Sequence, residues 1–139
     1  MVGRSTGSLV IMQGAANQPP SPEEAWGLGW ASFMSALSIL AQEAPEQCRV
    51  MGNYNVPWEL KDDVLSGEYL LNSPISRVSD AQRVLLGDLF RELRALPADA
   101  LAQPNTTEGN LRGMSHVAWA NLRVRAKRAV AAMKDAHDH

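Results

Sequence analysis

One short stretch constrains the fold of this chain more than any other. Ser21, Pro22 and Glu24 are followed by apolar residues at Trp26, Trp30, Phe33, Leu37 and Leu40. Ser21 with Glu24 three positions later makes a capping box, and Pro22 suits the first helical position. The apolar steps of four, three, four and three place those side chains on one helical face. A helix starting at residue 22 and ending near Glu43, before Pro45, follows. Gly27 and Gly29 weaken it by about 1 kcal/mol each relative to alanine. Two readings stand for them: close helix packing, or a groove beside Trp26 and Trp30.

The same grammar recurs downstream. Ser79 and Gln82 form a second capping box, and Leu85, Leu86, Leu89, Phe90, Leu93 and Leu96 supply a wide apolar stripe that Pro97 closes. A final long helix is expected from between Asn110 and Ser115 to about Asp135, with Leu111, Met114, Ala118, Leu122, Ala126, Ala129 and Met133 inward. Its other side carries Arg112, Arg123, Arg125, Lys127, Arg128 and Lys134. Shorter helices are expected from Pro57 or Trp58 to Leu65, with Gly67 as the stop, and as one turn at 99–101. Residues 45–57 read as irregular, with Gly52, Asn53, Asn55 and Pro57 as turn signals. The prediction is a mostly α fold. It is a small bundle of three longer helices plus one or two short ones, in a single domain over 21–139, behind a mobile arm at 1–20 in which 9–12 could form a short strand.

At 139 residues, with 45% hydrophobic and 20% charged residues and four Trp, the chain can build one core without disulfides or metal. The one cysteine, Cys48, cannot form an internal disulfide and reads as a half-buried small hydrophobe. A cytoplasmic, reducing setting follows, with no export signal and no membrane-spanning segment expected. Net charge is −2, but it is polarised. Residues 1–70 hold eight acidic and three basic side chains, and the remainder seven acidic and ten basic.

Catalytic and cofactor signatures are not found. There is no phosphate-binding glycine loop, and one Cys with three His cannot make a standard zinc site. No cofactor, metal ligand or catalytic residue is assigned. His116 reads as a half-buried residue with a backbone hydrogen bond; an enzyme using it would need carboxylates brought close by folding. The nearest thing to a constellation is Glu59, Asp62, Asp63 and Glu68, flanked by Trp58 and Tyr69. Aromatic anchors beside charge suit a protein interface, and an acidic surface suits a basic partner such as a nuclease. The basic stretch Arg123, Arg125, Lys127 and Arg128 offers the opposing reading, a nucleic-acid-associated or regulatory protein. Its charges spread around the helix, and the overall negative charge speaks against a dedicated nucleic-acid binder.

Trp58-Glu59-Leu60 with Asp62-Asp63-Val64, then Gly67-Glu68-Tyr69-Leu70-Leu71-Asn72-Ser73-Pro74, the helix over 79–97, and His116 with Trp119 and Leu122-Arg123 together resemble small helical immunity proteins. These are encoded beside bacterial polymorphic or contact-dependent toxins. The likeness is one of spacing and composition over 55–133, and residues 1–54 contribute nothing to it. It implies a cytoplasmic, non-enzymatic inhibitor that binds one toxin domain and occludes it. The expected contact surface is Trp58, Glu59, Asp62, Asp63, Glu68 and Tyr69.

Overall fold

In the computed structural model, residues 18–52 and 55–138 are described, with side chains to 133. The expected arm over 1–20 and its short strand therefore lie mostly outside the described residues; Gln18, Pro19 and Pro20 are exposed and precede the first helix. The elements are α1 (Pro22–Leu40), α2 (Ala44–Met51), α3 (Val56–Leu65), α4 (Tyr69–Asn72), α5 (Asp80–Arg94), α6 (Ala98–Leu101), α7 (Thr107–Met114) and α8 (Val117–Asp138). The fold is mostly α, a small helical bundle, with no strand among the described residues.

Both capping boxes form. Ser21 Oγ accepts from the Glu24 amide while Glu24 Oε1 accepts from the Ser21 amide at 3.0 Å. Ser79 and Gln82 do the same at the head of α5. The α1 stripe is inward, with Trp26, Phe33, Leu37 and Leu40 buried and Trp30 half-buried. α8 packs against both α1 and α5, while α3 packs against α1, α5 and α7, and α2 lies on α7. Phe33 meets Phe90 across α1 and α5 with ring centroids 5.8 Å apart. Trp119 is wholly buried, its indole N–H donating to Ala100 O at 3.0 Å.

Four expectations need correction. Residues 44–51 are helical, not irregular. Pro45, read as the terminator of α1, is instead a helix starter, because a proline is tolerated where the first-turn N–H has no partner anyway. α1 itself stops earlier, at Leu40. The single last helix is two, α7 and α8, because His116 caps a new start: its Nδ1 accepts the Ala118 amide at 3.0 Å, and its carbonyl accepts from Trp119 and Ala120. Leu111 consequently leaves the inward stripe and is exposed. Gly67 is not a left-handed stop, since only Gly52 has positive φ among the described glycines. Ser66 closes α3, and Gly67 is buried against the Phe33 ring, which a Cβ there would overlap.

Candidate functional site

The acidic segment lies on α3 and the turn into α4. α3 is fixed at its start by Asn55, whose Oδ1 accepts the Trp58 amide, and by a buried bond from the Val56 amide to Asn110 Oδ1 at 3.2 Å. Val56, Leu60 and Val64 are fully buried, which turns Glu59, Asp62 and Asp63 to solvent. The turn into α4 is held from both sides. The Trp26 indole N–H donates to Leu70 O at 3.0 Å from α1, and Arg83 donates to Leu71 O from α5. These bonds fix where Tyr69 stands.

Of the six residues expected to act together, Trp58, Glu68 and Tyr69 are held by separate contacts. Trp58, 44% exposed, sits under the Lys61 ammonium, which is 5.4 Å from its ring centroid. Glu68 is drawn away from the other acids into an ion pair with Arg94 of α5. Tyr69, 58% exposed, lays its hydroxyl over Gly29, where a Cβ would overlap it. Gly29 thus admits the Tyr69 hydroxyl and also lines a groove, while the two tryptophans stack on each other with centroids 5.3 Å apart. Asp63 and Tyr69 then share an open groove of about 430 Å³ between α1 and the α3–α4 turn.

Charge in this region is unusual for the molecule. Most other described acids have local work. Glu43, Glu46, Asp88, Glu92 and Asp99 contact Lys127, Arg49, Arg91, Arg125 and His116, and Glu24 closes a capping box. Glu23, Asp80 and Glu108, like Glu59 of α3 itself, lie in first turns, where the helix dipole favours anions. Asp62 and Asp63 are in the last turn of α3, where that dipole disfavours them, and no basic residue shares the turn. Among the described residues no cation is within ion-pairing distance of Glu59, Asp62 or Asp63. Burial, with the neighbouring Asp62 charge, pushes the Asp63 carboxyl above its ordinary value.

The basic stretch of α8 is arranged otherwise. Arg123, expected on the outward side, is 7% exposed and sunk between α2 and α7. It donates to Met114 O and, at 3.5 Å, to Gln47 Oε1; Gln47 in turn donates to Ile39 O and Leu40 O at the end of α1. Burial pulls the Arg123 guanidinium below its ordinary value, with Glu43 and Cys48 opposing. Cys48 is half-buried, and burial raises its thiol. Arg125 pairs with Glu92 at 2.9 Å and Lys127 with Glu43 at 3.3 Å. Of the four residues assigned to a phosphate-binding face, three have protein partners, and one of these is core.

His116 matches its sequence reading as half-buried with a backbone bond. Because Nδ1 accepts from Ala118, the other nitrogen carries the proton and faces Asp99 Oδ2 at 3.3 Å. One carboxylate and a cap make a structural arrangement.

Sequence reasoning missed the α1 wall of the groove. Ser32 and Ser35 are exposed, three apart and opposite the buried stripe, and they line the groove with Ser66 and Phe33. The spacing of these serines was a visible signal, but it points nowhere until α3 is packed alongside. Among the described residues no group of three or more His, Cys, Asp or Glu could hold a metal, and no helix is long and apolar enough to cross a membrane. Compared with known proteins, the chain matches no family model, no curated protein and no solved structure.

Proposed function

We propose that this chain is a non-enzymatic protein-binding inhibitor, a bacterial immunity-type protein that occludes a cognate toxin domain in the cytoplasm. One observation carries the reading: the three carboxylates of α3 are exposed, without cation partners, and in two cases at the helix end that disfavours them. A charge that costs the folded chain stability and serves no contact within it is suited to an external cation. The exposed aromatic residues Trp58 and Tyr69 flank those carboxylates and supply anchors of the kind that dominate interface energetics. Binding would bury the carboxylates against the basic groups with which a nuclease or similar toxin holds its substrate, so inhibition needs no chemistry from this chain.

The test begins with affinity capture of the tagged full-length chain from its own cells. The double variant Asp62→Lys/Asp63→Lys is then compared with the parent for binding to the captured toxin domain. About 100-fold weaker binding with a melting temperature no lower than the parent's is expected, since like charges facing each other across an interface cost several kcal/mol. Unchanged affinity would show that the acidic surface is not the contact.

A further inference from the structure

The groove between α1 and the α3–α4 turn has a composition that selects for one kind of side chain. Ser32, Ser35, Ala36 and Ile39 of α1 line it around the buried Phe33, and Ser66 lines it from the end of α3. Asp63 and Tyr69 stand at its rim, and no cationic residue lines it. The Ser66 hydroxyl spends its hydrogen on Asp63 O at 2.8 Å, which leaves its oxygen free to accept. The groove thus presents one carboxylate and several hydroxyl oxygens beside apolar side chains of α1.

We propose that this groove receives the side chain of an arginine carried by the protein partner. Guanidinium is planar, carries five donors in a fixed fork, pairs with carboxylate through two parallel bonds and lies flat on aromatic rings. The carboxylate of Asp63 takes one edge of the fork, and serine oxygens take donors on the other. The apolar stem lies against Ala36 and Ile39. Lysine presents a compact ammonium with three donors and no plane, so it satisfies fewer of these groups. The carboxylate that burial and Asp62 disfavour in the free protein is the one the guanidinium neutralises.

The proposal rests on the inhibitor reading only for the source of the arginine, so the groove is tested separately with small probes. The full chain, labelled with ¹⁵N, is titrated with Nα-acetylarginine methylamide, which mimics an arginine within a chain. Its neutral isostere, Nα-acetylcitrulline methylamide, and free arginine are titrated in parallel. Saturable shifts are expected at the amides of Ser32, Ser66 and Tyr69, at least tenfold weaker with the citrulline probe and in Asp63→Asn. Ser35→Leu, which fills the groove from an exposed position, removes them. Equal binding of the citrulline probe, an unaffected Asp63→Asn, or shifts elsewhere would overturn the proposal. Tighter binding of free arginine than of the amide would assign the groove to a metabolite and overturn it as well. If the arginine probe binds but no toxin domain is captured, the inhibitor reading fails alone. If a captured toxin domain binds Ser35→Leu undiminished, the groove fails alone.

Discussion

α3 and α8 carry the densest runs of acidic and basic charge, and packing treats them differently. On α8, Arg123 is enclosed and bonded to Met114 O, Arg125 pairs with Glu92, and Lys127 pairs with Glu43. On α3, Glu59, Asp62 and Asp63 meet no cation within the described residues. In the sequence the acidic run is the leading candidate surface and the basic run the opposing one. In the fold most of the basic run is used internally, and the acidic run is left facing outward. A charged side chain points to function only after its internal partners have been counted, because a buried or paired charge already has one.

That contrast can be broken most easily at Arg123. Arg123→Ala leaves the Met114 carbonyl and Gln47 Oε1 without a donor in a closed site, and should lower stability by about 2–4 kcal/mol, read by urea denaturation. A loss below about 0.5 kcal/mol, the range of ordinary surface substitutions, would return Arg123 to the surface and revive a phosphate-binding role for α8.

Gly67→Ala comes next. A methyl group there overlaps the Phe33 ring, so a loss of about 1–3 kcal/mol is expected. A variant as stable as the parent would mean that the ring under the groove moves freely, and that the groove is not preformed.

Smaller still is the stability effect of Asp62→Lys/Asp63→Lys. Cations replace anions at the negative end of α3, so the change should lie within about 0.5 kcal/mol, on the stabilising side, by the same denaturation assay. A clear loss would reveal an internal role for these acids and weaken the contrast.

The finest distinction is one of titration. The folded chain holds the Asp63 proton more tightly than the unfolded chain does, because burial and Asp62 raise its pKa. Its contribution therefore favours the fold in acid and is lost as pH rises through the folded-state value. Glu46, whose hydrogen bond to Arg49 lowers its pKa, behaves oppositely: it favours the fold above its unfolded value and loses that effect on acidification. Carboxyl-carbon NMR should find Asp63 titrating above an ordinary aspartate and Glu46 below an ordinary glutamate. Coincident ordinary values would remove the strain inferred on α3.

Much of the scaffold was legible because its signals are local. The boxes at Ser21–Glu24 and Ser79–Gln82 and the stripe from Trp26 to Leu40 need only neighbours three or four positions away. What failed to show depended on distant partners. Residues 44–51 are a short segment with a proline at the start, and the buried Gln47 finds its partners on α1 and α8. The break at His116 turns on a ring nitrogen capping an amide, which periodicity does not register. At the candidate site the acids and aromatic residues were visible in sequence. Their division was not, because Arg94 reaches Glu68 from 26 positions away and the serine wall comes from a different helix.

The enclosure of Arg123 also sets a schedule for synthesis. Its partner Gln47 emerges 76 positions earlier, an interval of about 4–15 s at ordinary translation speeds. Through that interval α1, with its stacked indoles and leucines, has left the ribosome without the helix that covers it. The nascent chain must therefore be kept from aggregating until its final segment appears, and a message truncated before α8 would yield a sticky fragment rather than a smaller working protein.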